Sequence, residues 1–583
     1  MPQSPFLKLV FSKVKSMLNT AVEKRLSGLI AWGSLGVTLV VTDRIGTDPV
    51  NIGKMLLLVV IAGGCFGLTA NSIQGVWRDN RVLLLTLSLF LLISLISVIS
   101  SDNPWERGFY GAFGRNTGLL TYLALSIIFL SVSMIRTISN LYKIILALLC
   151  AGFANLIYCL FASQGIEIFR WNNPYGSILG TFGNPNFISA FLGIFVSVLV
   201  GLIASNSINR SIKLYILLLA LVSLYAIKET NALQGFIVVA TGISIVTFFY
   251  LRSIAKNMLI VYAYVSVVAL GAILGLLGTL QKGPLASLLY KPSVSFRGEY
   301  WRAGLNMGND NLLTGVGMDS YGTYYRAYRA PSAIIAPGVN VTTDAAHNVF
   351  IDIFSGIGIF GLICYLTLLL LVAKASIKLI KGHKTYDPIF VILFTSWFTY
   401  QLQSIISINQ IGLAVWGWVL GGAIIAYSQI EDRSKQLEKY LTPRDIKNFK
   451  KSSKATPVPI SAAQALSLFM GLALGLVVAL PPFLVDAKTR NAFGGQKGEE
   501  IISAVTQWPQ DSARMNRAVL AFANSGLGEQ AQSIVSIATQ KFPSEYSGWY
   551  SLFKVSVDGS DEKAKYLQKL HELDPYNPEF APK

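Results

Sequence analysis

Charge is scarce in this chain. Only 13% of its 583 residues are Asp, Glu, Lys or Arg, while 53% are hydrophobic. Soluble domains carry about 25% charged residues. This composition, with a mean hydropathy of +0.53, excludes a water-soluble globular protein and sets a polytopic membrane class. Cysteine and histidine are scarce too, at four and three residues. Cys65, Cys150, Cys159 and Cys364 fall in apolar runs without Cys-x-x-Cys spacing. That suits small packing residues, not a disulfide framework or a zinc site. Acidic residues number 30 against 48 basic ones, leaving a net +18. The excess reads as a topology signal and an attraction to anionic membrane lipids. No nucleic-acid role is expected, because the basic residues gather in alternate connections between apolar runs.

Long hydrophobic runs are abundant. A spanning helix needs about 20 mostly apolar residues. Such runs lie near 26–42, 52–70, 82–100, 118–134, 143–163, 187–204, 212–227, 234–251, 258–280, 349–372, 387–404, 411–427 and 463–485. The expected fold is all-α: a polytopic helical membrane protein of about 13 transmembrane helices, with one large outer loop at 281–348 and a soluble C-terminal helical-repeat domain. Even-numbered connections hold Arg78 and Arg81, Arg136 and Lys143, Arg210 and Lys213, Arg252 and Lys256, then Lys374, Lys378, Lys381 and Lys384. Positively charged loops resist translocation, so the N-terminus is expected on the cytoplasmic side of a multi-pass protein.

Residues 1–25 then form a cytoplasmic amphipathic N-terminus, where Phe6, Leu7, Val10, Phe11 and Val14 oppose Lys8, Ser12 and Lys15 in an interfacial helix. Residues 26–427 are the membrane domain, 428–462 a basic cytoplasmic linker, 463–485 the last span and 490–583 an extracytoplasmic domain. In that domain Pro509, Pro543 and Pro575 are spaced by 34 and 32 residues, and Gly528-Glu529-Gln530-Ala531 aligns with Ser560-Asp561-Glu562-Lys563-Ala564. The period resembles tetratricopeptide helix pairs. So few units rarely bury a stable core alone, which predicts docking on the membrane part or on a protein partner.

The polar residues cluster at loop ends. Asp344-Ala-Ala-His347-Asn348 leads directly into the run 349–372, placing one of three histidines at the mouth of a membrane helix. The loop upstream carries Arg297, Trp301, Arg302 and the turn Thr314-Gly315-Val316-Gly317. Phe113-Gly114-Arg115-Asn116-Thr117-Gly118 and Gly180-Thr181-Phe182-Gly183-Asn184-Pro185-Asn186 each end on a helix start. Free N–H groups there attract anions, and an arginine beside them strengthens the pull on phosphate. Taken singly, each cluster also reads as a tight turn.

In this order, these pieces resemble the O-antigen ligase and polymerase superfamily of bacterial membrane glycosyltransferases. The matching elements are Gly114 to Gly118, Gly180 to Asn186, Phe296-Arg297-Gly298-Glu299-Tyr300-Trp301-Arg302-Ala303-Gly304-Leu305, Leu313 to Gly317, Ala346-His347-Asn348, Gly356-Ile357-Gly358-Ile359-Phe360-Gly361 and Ser407-Ile408-Asn409-Gln410. The resemblance covers roughly 110–425. It implies inverting transfer of a glycan from undecaprenyl diphosphate to an acceptor hydroxyl, on a lipid, a glycan or a protein, at the outer face of the bacterial inner membrane. It also implies no metal and no cofactor.

A departing diphosphate needs cations placed beforehand. Arg297 is the first choice, followed by Arg302, Arg115 and Arg170. An acceptor hydroxyl needs a base, and a neutral imidazole suits that task. His347 matches the family's histidine. Trp301, Asn348 and Asn184 are further substrate-binding candidates. Where many such ligases carry a second arginine in Ser-Arg-Gly, this chain reads Thr230-Asn231-Ala232-Leu233-Gln234-Gly235, so Gln234 offers a hydrogen bond without charge. A polysaccharide polymerase, a protein O-oligosaccharyltransferase, a transporter and a noncatalytic scaffold stay open as alternatives.

Overall fold

The computed structural model describes residues 20–170, 172–440 and 461–581. Every one of the thirteen apolar runs forms a helix. The chain begins with α1 (Thr20–Leu39), α2 (Asn51–Thr69), α3 (Ile73–Ser100), the short α4 (Trp105–Tyr110), α5 (Leu119–Ser133) and α6 (Ile138–Ser163). It continues through α7 (Pro185–Ala204), α8 (Arg210–Glu229), α9 (Leu233–Ile254) and α10 (Met258–Thr279). The 281–348 loop holds helices of its own: α11 (Ala286–Leu289), α12 (Pro292–Asp310) and α13 (Tyr321–Tyr328). Then come α14 (Val349–Gly382), α15 (Pro388–Ser404), α16 (Ile411–Tyr440) and α17 (Ala462–Gly495). Among the described residues ten helices are long and apolar enough to cross a membrane. Of the other three runs, α5 and α15 are shorter, at 15 and 17 residues, and α1 opens on Glu23, Lys24 and Arg25.

The amphipathic stretch expected over Phe6 to Lys15 lies outside the described residues, as does most of the basic linker. Its first part continues α16 as far as Tyr440.

Glycines set the closest helix crossing. On α2, a Cβ added to Gly63 would stand 2.1 Å from the carbonyl oxygen of Gly471 on α17, and one on Gly67 2.1 Å from that of Ser467. Small residues let membrane helices approach backbone to backbone. This contact fixes α17, and with it everything that follows. The apolar window of α16 is wholly buried at the bundle centre, whereas that of α10 is almost entirely exposed.

Chain alternation gathers the glycine-rich turns, the 281–348 segment and the C-terminal helices at one end of the bundle, here the site end. Cross-links confirm the grouping: Asn51 Nδ2 donates to Gly114 O at 2.6 Å, Gln410 Nε2 to Asn51 Oδ1 at 3.1 Å, and Asp48 N to Asp486 Oδ2 at 3.1 Å. The basic connections occupy the other end.

One span is interrupted. Within α14, Gly358 takes φ 74 and ψ −173, a conformation that glycine reaches readily. The break frees backbone groups, and the turn Thr314 to Gly317 uses them: Val316 N donates to Ser355 O at 2.8 Å, Gly317 N to Gly356 O at 3.1 Å, and Ile359 N to Leu312 O at 2.8 Å. The two glycine motifs are thus halves of one joint, which sews the 281–348 segment into the bundle.

The C-terminal unit comprises α18 (Gly498–Thr506), α19 (Ser512–Asn524), α20 (Gly528–Lys541), α21 (Tyr546–Val555) and α22 (Asp561–Leu573). Helices starting at 512 and 546 are 34 residues apart, and those starting at 528 and 561 are 33 apart. Its core is small: Met515, Val519 and Phe522 meet Ile534, Val535 and Ala538, and extend onto Ala492 at the end of α17.

Candidate active site at the site end

Helical periodicity builds the first wall. On α12, Arg297, Tyr300, Gly304 and Gly308 recur at three- and four-residue intervals and so share a face. That face packs on the start of α14, where a Cβ on Gly304 would meet Ile351 Cγ2 at 2.5 Å and one on Gly308 would meet Phe354 Cε1 at 2.3 Å. The Tyr300 ring lies 5.5 Å from the His347 ring, centroid to centroid. Its carbonyl accepts from the Tyr321 hydroxyl at 2.6 Å. Arg297 is half-buried and makes no hydrogen bond or ion pair among the described residues. Burial draws its pKa below the ordinary guanidinium value, with Tyr300 acting the other way. Arginine stays charged even so.

His347 takes φ 56, left-handed backbone that is uncommon for a residue with a Cβ. Its Nδ1 lies 3.2 Å from Ala345 O and 3.4 Å from Thr343 Oγ1. The Thr343 hydroxyl itself donates to Ala345 O at 2.8 Å. A carbonyl only accepts, so Nδ1 carries the proton in its bond and Nε2 keeps a lone pair. Burial lowers the pKa of His347 to about 4; Arg297 and Arg115 push the same way, while the Ala345 carbonyl and Asp344 oppose them. The ring is therefore neutral at physiological pH.

Arg115 comes from a separate loop. Its loop is held by Asp319, whose carboxylate accepts from Ala112 N at 2.8 Å, Thr117 N at 3.0 Å and Thr117 Oγ1 at 2.9 Å. Gly111, at φ 87, leaves no room for a side chain, since a Cβ there would stand 2.5 Å from Asp319 Oδ2. The Arg115 side chain has no hydrogen bond or ion pair among the described residues, and it lines a small cavity of about 40 Å³ that opens to solvent. Tyr321, Asp344, Asp352 and Asn409 line the same space. Asp352 Oδ1 accepts from Ala346 N at 2.7 Å, which fixes the Ala345–Ala346 peptide, and its Oδ2 is buried without a hydrogen-bond partner among the described residues.

The structure thus brings His347, Arg297 and Arg115 together. It does not bring the rest. Arg302 projects from another face of α12, mostly exposed, and donates to Ser332 Oγ at 3.0 Å. Arg170 is exposed, its backbone N–H donating to Asp43 Oδ2 at 2.7 Å. Gln234 is buried between helices, with Nε2 donating to Gln403 Oε1 at 3.1 Å. Asn348 caps α14, accepting from Phe350 N and Ile351 N, and Asn184 caps α7, accepting from Asn186 N. Trp301 is half-buried beside the Tyr300 cluster, its buried Nε1 lacking a hydrogen-bond partner among the described residues. Asp319 and Asp352 were missed by sequence reasoning. The signal for Asp352 was its place one turn after Asn348; for Asp319 none was visible, because its partners lie about two hundred residues away.

No curated protein matches the chain. The O-Antigen ligase family model matches residues 216–366, a stretch that contains Arg297, α12, α13, His347 and the broken start of α14. On that match, this chain carries an O-antigen ligase domain over residues 216–366, which supports a place in the O-antigen ligase/polymerase superfamily.

Proposed function

We propose that the protein transfers a glycan from undecaprenyl diphosphate to an acceptor hydroxyl, with the site end facing away from the cytoplasm. The observation that carries this reading is that Arg297 and Arg115, without an ion pair among the described residues, act on a neutral imidazole whose Nε2 makes no hydrogen bond among them. Arg297 and Arg115 form no direct ion pair among the described residues, although Asp319, Asp344 and Asp352 share the cavity with Arg115; guanidiniums held this way suit an anionic ligand, and a diphosphate supplies two adjacent anionic groups. The basic connections at the opposite end support the orientation.

In the proposed step the acceptor oxygen forms the new glycosidic bond as the bond between the anomeric carbon and the diphosphate oxygen breaks. The electron pair leaves on the diphosphate, where Arg297 and Arg115 meet the developing charge. His347 Nε2 takes the acceptor proton, while Nδ1–H stays on Ala345 O. An imidazole of pKa about 4 is a weak base on its own. A bound diphosphate offsets the two arginines that help lower it, so the donor itself makes His347 more basic.

Membranes bearing the full chain are given a lipid-diphosphate glycan, and glycan is read on lipid, polymer and protein fractions. Wild type should transfer, with His347→Ala and Arg297→Ala losing transfer at matched expression. The labelled fraction names the acceptor. Undiminished transfer by both variants would refute the site.

A further inference from the structure

Three acidic residues of the C-terminal unit recur at its turns. Asp511 and Glu545 precede α19 and α21 at positions 34 residues apart, and Asp574 follows α22. None of the three is spent within the unit alone. Asp511 caps α19 through Oδ1 and accepts Phe113 N on Oδ2 at 3.3 Å, inside the loop that carries Arg115. Glu545 accepts from Arg107 Nη1 at 3.1 Å and from Thr323 Oγ1 at 2.7 Å, joining α4 to α13. Asp574 accepts from Arg329 Nη2 at 2.7 Å and Arg326 Nη1 at 2.9 Å, and the Arg329 and Asp574 side chains are fully buried.

The two structures held this way both line the cavity, and Asp319, just before α13, already bonds the Phe113 to Gly118 loop. The Phe113 to Gly118 loop presents Arg115. Helix α13, only eight residues long, presents Tyr321, whose hydroxyl anchors Tyr300 beside His347. Such a short helix has little stability of its own. Its far side is occupied by Thr323, Arg326 and, just past its end, Arg329, all engaged by the C-terminal unit. Burying a guanidinium demands a partner, and removing that partner is strongly destabilising.

We propose that the C-terminal helical unit is a positioning part of the transferase site, setting the distance between Arg115 and the His347 wall through Asp511, Glu545 and Asp574. These are positioning residues, since none touches the cavity. The proposal rests on the transferase reading above and sharpens it. Misplacing reacting groups by about 1 Å can cost 10²-fold in rate, so the unit acts on kcat more than on donor binding.

The test uses the full-length chain in lipid vesicles, comparing Glu545→Gln and Asp574→Asn with wild type, and Glu579→Gln as the control. Glu579 pairs with Lys554 on the exposed edge of the unit. Two readouts are taken: the kcat and KM for donor, and hydrogen exchange of peptides covering 111–118 and 321–329. Both variants should lose protection in those peptides and lose about tenfold or more in kcat, with donor KM within about threefold. Glu545→Asp should recover part of the rate, and the control should match wild type. Unchanged protection, or lost protection with unchanged kcat, overturns the proposal. Because exchange needs no turnover, a wild type that transfers nothing while both variants lose protection would sink the transferase reading and leave the wall-holding role standing.

Discussion

Two sets of arginines share the site end and meet opposite fates. Arg329, Arg326 and Arg107 are each matched to a carboxylate of the C-terminal unit. Arg115, which lines the cavity, and Arg297, close enough to His347 to act on it, have no hydrogen bond or ion pair among the described residues. The same side chain thus serves two purposes within one layer of the molecule. Matched guanidiniums hold elements in register; on the proposed reading, unmatched ones hold a place open for an anion.

The largest expected break of this comparison is the double variant Arg115→Gln/Arg297→Gln. Removing oxyanion-stabilising donors costs about 10²–10³ each in rate, so transfer should fall by about 10³ or more while thermal unfolding in detergent stays close to wild type. A variant that unfolds would place these arginines with the matched set. Next comes the reverse case. Asp574→Leu leaves two guanidiniums facing an apolar side chain and should cost about 3–5 kcal/mol of stability. The paired change Arg329→Met/Asp574→Leu should recover part of that loss, read from the midpoint of denaturant unfolding.

A smaller effect is a shift in pH dependence. The activity of the free enzyme should hold through mild acid and fall through about pH 4, where His347 protonates. Arg297→Gln removes a positive neighbour, which favours the imidazolium and raises the pKa, so the acid limb of kcat/KM should move toward neutral pH. Burial, the main cause of the depression, persists and keeps that limb below the ordinary imidazole value. An unmoved limb would mean that Arg297 does not act on His347. The smallest effect belongs to Arg302→Ala. Exposed and bonded to Ser332, it should change stability by less than about 1 kcal/mol and leave kcat/KM within about twofold, and a larger loss would bring it into the unmatched set.

Much of this architecture is legible in the residues. Thirteen apolar runs become thirteen helices because a hydrocarbon layer leaves the backbone few ways to satisfy its own hydrogen bonds. The Arg297 and Tyr300 face could be read from helical spacing once 292–310 is taken as a helix, as Pro292 at its first turn invites. Asn348 and Asn184 stood before apolar runs and could have been read as N-caps on that ground alone. Other features leave no local trace. The break at Gly358 depends on a partner strand of chain more than forty residues upstream, and the Arg329–Asp574 pair spans 245 residues. Contacts of that kind follow from how finished helices pack, which periodicity does not encode.

The buried Arg329–Asp574 pair also imposes a timetable. Asp574 follows every membrane helix in the chain, so a growing polypeptide exposes Arg326 and Arg329 long before their counter-charge has been synthesised. Until α22 emerges on the same side and docks, α13 lacks its outer support. A nascent protein with the described spans inserted therefore still holds an unfinished pocket, and the wall that carries α13 closes after them.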